Sequence, residues 1–346
     1  MLKFENRMIT MTYMNPFFTI GVMTYDRPIL LRKCLLSIKH QSFKDFEVII
    51  GNDYISAEVI LADHGIEDTR FIVINNQKNL GEADNMNMLL NAAKGNYFIW
   101  LADDDLMHPH LLAMSHESLQ TQSSKKPIAV FSNYSSGEQP NEKFFQRRQA
   151  YNIGSLYQQQ EFLQKYLSRQ IDLIGCYGLI PTKELRRIGG IKRLGNDFGP
   201  FSDTILPIML AEHCNILYLD VPLIFLRLHP ESKSTTSTNM SAYTSAENDF
   251  LSVFSKYCER NSCIQGVRLL KYFIVKWFAE TESIVYFRSG ISSKVSFFLQ
   301  VRRQIYLLRE TGNTYRLIGH LMFLVGLYCK YTVKRLYRQI TLDGKN

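Results

Sequence analysis

The chain has 346 residues, of which 46% are hydrophobic and 21% are charged, a balance typical of globular proteins that excludes disordered and collagen-like chains. Its formal net charge of +8 indicates an anionic partner, such as a nucleotide, a phospholipid surface or a nucleic acid. The six cysteines form no Cys-x-x-Cys pair, so we expect neither a structural metal centre nor a redox motif. The first fifteen residues lack the apolar core of a signal peptide, and no run of about 20 apolar residues predicts a membrane span.

The first two thirds of the chain alternate predicted strands with predicted helices. Apolar runs predict strands at residues 17–24, 46–50, 71–74, 97–101, 128–132 and 175–180, and short strands around Pro222 within 216–228. Helical periodicity or helix-start signals predict helices after Pro28 and Pro109 and at residues 57–64, 81–94, 161–168, 183–188 and 203–212. This alternation predicts an α/β fold with a mostly parallel sheet and right-handed crossovers.

Two polar segments interrupt the alternation. Residues 135–160 are rich in Gln, Asn and Ser and predict a loop of the kind that serves as a lid. Residues 232–245 contain nine Ser or Thr in fourteen positions, which indicates a domain boundary, and a helical pattern follows to the end. We therefore predict an N-terminal extension at 1–15, a catalytic domain at 16–235 and a C-terminal helical region at 236–346.

The sequence around the fourth predicted strand carries the strongest chemical signal. Asp103, Asp104 and Asp105 follow the apolar run 97–101 without a gap. Adjacent carboxylates repel one another, and a divalent cation would reverse that repulsion. Mg²⁺ and Mn²⁺ take carboxylate and phosphate oxygens, and ligands of open α/β sheets bind beyond the carboxyl ends of strands. The alternative interpretation is a solvated turn in which Asp105 caps the next helix.

Several segments of the chain resemble, in the same order, those of the family 2 glycosyltransferases. The similar segments are residues 20–28, 41–50, 79–81, 93–97 with the aspartates, 185–190 and 226–232. The resemblance covers roughly residues 16–235. It implies a GT-A (Rossmann-like), mostly parallel sheet flanked by helices, with the C-terminal helical region outside it. It also implies inverting, metal-dependent transfer of a sugar from a nucleotide-sugar, with a UDP-sugar favoured, to a hydroxyl group.

The resemblance implies roles for residues on the donor side of the site. Asp53 would accept the N3–H of uracil, Tyr25 would lie against the base or close the pocket wall, and Asp103 would lie near the ribose. The complete set of expected donor-binding residues is Thr24, Tyr25, Arg27, Asp53, Asn79, Gly81, Asp103 and Arg227. Met86 stands where the family commonly has an arginine, which removes an expected phosphate contact.

The resemblance also implies a metal site and a catalytic base. The family's first motif aspartate aligns with Ala102, so contact with Mn²⁺ or Mg²⁺ should fall on Asp104, with Asp105 as a substitute. His229 would complete the metal or diphosphate site. Asp203 matches the family's acceptor-side carboxylate and would act as the general base, the alternative being a helix N-cap.

The expected partners are a nucleotide-sugar and a saccharide or polyprenyl-linked acceptor, in the synthesis of a surface polysaccharide such as O-antigen or capsule. The basic, aromatic tail suggests a cytoplasmic protein held peripherally at an anionic membrane surface, although the tail could instead pack on the catalytic domain or on a second subunit. A nucleic-acid partner is not expected, because the predicted site is acidic. The alternatives are a degenerate, non-catalytic GT-A-like protein, suggested by Ala102, and a nucleotidyltransferase, which the Thr-Tyr-Asp-Arg-Pro turn at 24–28 argues against.

Overall fold

The computed structural model describes residues 15–145, 154–195, 200–229 and 239–261, together with the single positions 274, 278 and 281. The predicted N-terminal extension, apart from its last residue, lies outside the described residues. So do the tail beyond residue 281 and half of the Ser/Thr-rich segment in which we placed the domain boundary.

The main sheet has five strands in the order β3-β2-β1-β4-β8. Its strands are β1 (Phe18–Thr24), β2 (Phe46–Asn52), β3 (Phe71–Asn75), β4 (Tyr97–Ala102) and β8 (Ile180–Pro181). All neighbouring strands are parallel except β4 and β8, which are antiparallel. The sheet is flanked by α1 (Pro28–Lys39), α2 (Glu82–Ala92), α3 (Leu111–Gln120) and α6 (Thr182–Arg187). The predicted α/β architecture with a mostly parallel sheet is confirmed.

The central strands form because their apolar runs are covered on both faces. β1 and β2 are almost wholly buried, and α1 and α2 each place an apolar stripe against the sheet. In the parallel register, Thr24 is opposite Asn52, and Met23 is opposite Ala102. The residues that follow β1, β2 and β4 therefore emerge together at one edge of the sheet, which is where the predicted site residues lie.

A smaller sheet runs in the order β5-β9-β6, and β7 also pairs with β9. Its strands are β5 (Leu106–Met107), β6 (Ile128–Gly137), β7 (Ser155–Tyr157) and β9 (Asn215–Arg227). β9 is one strand of 13 residues, so the prediction of short strands around Pro222 was wrong. Pro222 lies at a register shift in the pairing of β6 with β9, where a residue without an N–H is tolerated.

Other local predictions were also wrong in detail. The expected helix at 57–64 is only a 3₁₀ turn, Leu61–His64, closed by Gly65 in the left-handed conformation. The expected loop at 135–160 contains the end of β6, the short helix α4 (Glu142–Phe145), β7 and the start of α5 (Gln159–Leu167). The expected strand at 175–180 is a 3₁₀ turn, Gly175–Tyr177, because Gly175 packs directly against the backbone of α7 (Ser202–Leu210).

The C-terminal region begins with α8 (Met240–Arg260), a helix of 21 residues. Phe250, Phe254 and Tyr257 on this helix are buried in the same core as α5 and α7. The described part of the C-terminal region therefore packs on the catalytic domain, which was one of the two predicted alternatives. Among the helices that the structure describes, none is both long enough and apolar enough to cross a membrane.

Candidate active site

Asp103 is the innermost of the three consecutive aspartates. Its side chain has no exposed surface, and it accepts a hydrogen bond of 2.6 Å from the Thr24 hydroxyl. The guanidinium of Arg27 lies 2.6 Å from its other oxygen, and the backbone N–H of Tyr25 donates at 3.4 Å. Burial raises the pKa of Asp103 to about 6, although Arg27 and Thr24 stabilise its charge. The carboxylate therefore orders the end of β1 and the turn after it, where three of the predicted donor-binding residues lie: Thr24, Tyr25 and Arg27.

Asp104 is more accessible, with 14% of its side chain exposed. One carboxylate oxygen lies 2.8 Å from Nη1 of Arg27 and 2.9 Å from Nε2 of His229. The fold thus brings together Asp104 and His229, two predicted metal ligands that are 125 residues apart in sequence. Arg27 bridges Asp103 and Asp104, which reduces the repulsion between the two carboxylates.

Asp105 is buried, and both of its carboxylate oxygens accept hydrogen bonds from other residues of the protein. One of its oxygens accepts the hydroxyl of Tyr177, and the other accepts the backbone N–H of Arg227 at 2.9 Å. Burial, followed by the neighbouring charge of Asp104, raises the pKa of Asp105 to about 7. One oxygen joins the turn after β4 to the end of β9, and the other joins it to the 3₁₀ turn that contains Tyr177. Both oxygens are thus used within the protein, so these contacts give no support to a metal-binding role for Asp105. The alternative of a helix cap is not what the structure shows either, because α3 begins at Leu111 with His110 as its N-cap.

Arg227 ends β9 with a buried guanidinium. The residue is 5% exposed, and none of its three side-chain nitrogens has a hydrogen-bond partner in the described part of the chain. A buried cation without an acceptor is costly, so such a group marks a place where an anion is expected. Since the Arg227 backbone is bonded to Asp105, this guanidinium is anchored to the aspartate turn. The position suits a phosphate group.

The loop between β3 and α2 is held by Asp53. This carboxylate accepts the backbone N–H groups of Leu80 and Gly81, both at 2.8 Å, and the side-chain amide of Asn76 at 3.1 Å. Asn79 also accepts from the N–H of Gly81, whose φ of +78° is one that glycine adopts readily. The predicted residues Asp53, Asn79 and Gly81 thus form one local unit. Contact of Asp53 with a uracil base stays a prediction.

Two tyrosines lie at the open side of this unit. Tyr25 is 50% exposed, and its ring meets that of Tyr54 edge to face, with 5.3 Å between the ring centroids. Tyr25 is exposed and Tyr54 is half-buried, and an aromatic pair of this kind next to Asp53 can contact the flat face of a nucleobase. Sequence reasoning selected Tyr25 and missed Tyr54, although Tyr54 directly follows Asp53. It also missed Tyr177, for which the local sequence gave no signal.

Asp203 occupies the first turn of α7. It is half-buried, and desolvation raises its pKa above the ordinary value. Phe201 is the N-cap residue, and it makes no capping hydrogen bond through its side chain, so Asp203 is not the helix cap of the alternative interpretation. Burial is the largest cause of the raised pKa of the Cys176 thiol, and the negative charges of Asp203 and Asp105 raise this pKa further. Cys176 therefore lies within electrostatic range of both the aspartate turn and Asp203.

The residues of this edge fit a divalent cation that also binds phosphate. Within the described ranges, no group of three or more His, Cys, Asp or Glu side chains could hold a metal ion. Asp104 and His229 form a pair, and Mg²⁺ in particular commonly binds through one or two protein ligands together with water and substrate phosphates. The orphaned guanidinium of Arg227 is consistent with such a phosphate. The assignment of Asp104 and His229 as metal ligands stays a prediction.

Comparison with known proteins agrees with this geometry. Residues 19–183 match the model of the family described as Glycosyl transferase family 2. An uncharacterised glycosyltransferase of Methanocaldococcus jannaschii is 35% identical over 101 residues, which are 28% of this chain and 35% of the relative. The GalNAc(5)-diNAcBac-PP-undecaprenol beta-1,3-glucosyltransferase of Campylobacter jejuni is 31% identical over 121 residues, 34% of this chain and 38% of the relative. The match thus spans little more than a third of either relative.

Solved structures show the same fold. A crystal structure of TarS from S. aureus has a TM-score of 0.55 at 12% identity, and the match covers 93% of this chain and 91% of that one. A second TarS structure, in complex with UDP-GlcNAc, has a TM-score of 0.50 at 14% identity, with the same coverage of both chains. At such low identities the likeness is one of fold. Together with the family match, it shows that residues 19–183 are a glycosyl transferase family 2 domain within a GT-A fold.

Proposed function

We propose that this chain is an inverting, metal-dependent glycosyltransferase. It moves a sugar from a nucleotide-sugar, with a UDP-sugar favoured, to a hydroxyl of a saccharide or lipid-linked acceptor. The observation that carries the proposal is the buried guanidinium of Arg227, which has no hydrogen-bond partner among the described residues and is anchored to the aspartate turn at the edge of the parallel sheet. A diphosphate would supply the missing acceptors for that cation.

The donor side of the site is largely built in advance. Asp103 holds the turn that presents Tyr25 and Arg27, and Asp53 holds the loop that contains Asn79 and Gly81. The base of the nucleotide would lie between the tyrosines and this loop, and the diphosphate would lie towards Arg227. Because these groups are fixed by internal hydrogen bonds, little conformational entropy would be lost when the donor binds.

Mn²⁺ or Mg²⁺, held by Asp104 and His229, would neutralise the charge that develops on the diphosphate as it leaves. The guanidinium of Arg27 and the ring of His229 both contact the Asp104 carboxylate. Arg27 also contacts Asp103, so it can remain in the site when the oxygen of Asp104 binds the metal ion.

Asp203 would act on the acceptor. The acceptor oxygen forms a bond with the anomeric carbon while the bond from that carbon to the diphosphate oxygen breaks. The acceptor proton passes to the Asp203 carboxylate, and the nucleoside diphosphate departs with the electron pair. A general base works best when its pKa lies near the working pH. The raised pKa of Asp203 therefore suits it to accept a proton near neutral pH.

We infer the biological setting from the name of one relative. The Campylobacter jejuni relative is named for an undecaprenol-linked acceptor, which supports a lipid-linked acceptor and a role in surface polysaccharide synthesis. Such acceptors would place the protein at the inner face of the cell membrane.

A donor-hydrolysis screen tests the proposal directly. The protein is incubated with a panel of nucleotide-sugars and Mn²⁺, and the released nucleotide is measured with and without EDTA. Metal-dependent release from one nucleotide-sugar supports the proposal and identifies the donor. If donors bind in calorimetry but are neither hydrolysed nor transferred to any saccharide or lipid-linked acceptor, the degenerate, non-catalytic alternative replaces it.

A further inference from the structure

A groove separate from the candidate active site lies on the side of the domain where α6, α7 and α8 converge. It has a volume of about 330 Å³ and is lined by residues from these three helices and from the segments that follow α6 and α7. Four of the lining side chains are cationic: Arg187, Lys192, Lys256 and Arg260. The groove contains none of the residues predicted to bind donor, metal or acceptor.

The positive charge of the groove is only partly balanced. Arg260 lies 3.5 Å from Glu212, and Arg187 lies 3.2 Å from Glu184. Lys192 and Lys256 have no ion-pair partner in the part of the chain that the structure describes. The ammonium of Lys126 adds a further cation beside the groove, because it donates to the carbonyl of Glu212 at 3.2 Å.

Helix ends explain some of these cations but not all. α6 ends at Arg187 and α8 ends at Arg260, so both arginines can offset the partial negative charge of a helix C-terminus. Each terminus carries only about half a charge, and the effect is confined to the last turn. Lys256 lies a full turn before the end of α8, and Lys192 follows α6 by five residues. The two lysines are therefore available to an external anion.

Three apolar side chains also line the groove. Ile188 is 8% exposed, and Met209 and Val253 are half-buried. A groove lined by both cationic and apolar side chains matches an amphiphile, whose phosphate would meet the lysines and whose glycerol and first methylene groups would cover the apolar side chains. A free phosphate ion would gain nothing from the apolar side chains.

We propose that this groove binds the phosphate headgroup of an anionic phospholipid and so holds the domain on a membrane surface. The prediction from sequence placed membrane contact in the tail, whereas this site lies within the described fold. Met209, the lining residue of α7, lies six residues after Asp203, or roughly 9 Å along the helix. Its test is therefore independent of sugar transfer.

The experiment compares the full-length protein with its Lys192→Gln/Lys256→Gln variant. Sedimentation is measured with vesicles of phosphatidylcholine alone and with vesicles that contain phosphatidylglycerol. Wild-type protein should bind only the anionic vesicles, and less so at high salt. Each lysine removed near such a surface should weaken binding roughly fivefold, so the double variant should bind about 25-fold more weakly.

Two matched variants separate the groove from net charge. Lys33→Gln/Lys183→Gln removes the same charge from exposed positions outside the groove and should bind vesicles like the wild type. Lys192→Arg/Lys256→Arg keeps the charge and should also retain binding. Equal loss in the control pair, or wild-type binding by the Gln variant, would overturn the proposal. Release from vesicles by low millimolar glycerol phosphate would overturn the lipid assignment in favour of a soluble phosphate ligand.

Discussion

The carboxylate of Asp105 accepts the backbone N–H of Arg227 across 122 residues of sequence, at 2.9 Å. The hydroxyl of Tyr177 occupies the other oxygen of the same carboxylate. The bond to Asp105 holds the end of β9 next to the turn that follows β4. Because Arg227 is the last residue of β9, the same bond also fixes the position from which its guanidinium extends. One of the three adjacent aspartates thus positions the cation for which we propose a phosphate-binding role, while its neighbour Asp104 is left more accessible.

The first prediction is that Arg227→Met will separate binding from stability. Methionine keeps much of the length of the side chain and removes a buried cation that has no hydrogen-bond partner within the ranges that the structure describes. The free energy of unfolding should therefore stay the same or increase. Calorimetry should show UDP affinity falling by about 10- to 150-fold, because hydrogen bonds to charged groups contribute about 1.5–3 kcal/mol. Loss of stability with unchanged UDP affinity would mean that Arg227 is a structural residue.

The second prediction is that Asp104→Asn will remove the effect of Mn²⁺ on donor binding. Asparagine keeps the shape of the side chain and an oxygen that can accept from Arg27, so the fold should be retained. Titration of UDP with and without Mn²⁺ should show a metal-dependent gain in affinity for the wild type and none for the variant. Asp68→Asn, which alters a surface pair with Arg70, is the matched control. A metal effect that survives in Asp104→Asn but disappears in Asp105→Asn would transfer the ligand role to Asp105.

The sheet could be predicted because its signals are local. β1, β2 and β4 are apolar runs that need no distant partner to be recognised, and the parallel register then brings their ends together. The position of the three aspartates at the end of β4 follows from the same runs.

The different roles of the three aspartates could not be predicted in this way. They depend on contacts across the fold: Thr24 is 79 residues from Asp103, and Tyr177 is 72 residues from Asp105. The segment 175–180 was misread for a related reason. Its apolar residues suggest a strand, but packing of Gly175 against α7 and of Gly178 against Phe131 imposes a compact turn. The spacing of residues in the sequence does not show that Gly175 lies against α7 or that Gly178 lies against Phe131.

The third prediction concerns this packing. A Cβ atom on Gly175 would lie 1.7 Å from the carbonyl oxygen of Asp203, so Gly175→Ala must displace the start of α7. The expected cost is about 1–3 kcal/mol of unfolding free energy, with a loss of turnover and little change in UDP affinity. Gly137→Ala is the control, because its Cβ would come no closer than 3.5 Å to the nearest atom, a carbon of Phe225. Equal stability and turnover in the two variants would show that the approach of Gly175 to α7 is unimportant.

The fourth prediction is an acid limb in the pH profile of kcat/KM. Asp203 must be ionised to accept a proton, and burial raises its pKa above the ordinary value of about 3.9. Activity should therefore rise with pH as Asp203 loses its proton, and the midpoint should lie above pH 4. Measurement with saturating Mn²⁺ at each pH removes the contribution of metal binding. Activity that stays constant from neutral pH down to pH 4 would contradict a base with a raised pKa.

The last prediction is that Asp203→Asn will lower turnover without weakening donor binding. Asparagine is nearly the same size and favours the start of a helix about as well as aspartate, so α7 should form as before. It cannot accept the acceptor proton, and loss of a general base lowers the rate by about 10²–10⁴-fold, or roughly 3–5.5 kcal/mol in the barrier. Single-turnover transfer and calorimetry with UDP measure the two effects separately. Near wild-type turnover in this variant would exclude Asp203 as the base and direct the search to Glu212 or Asp197.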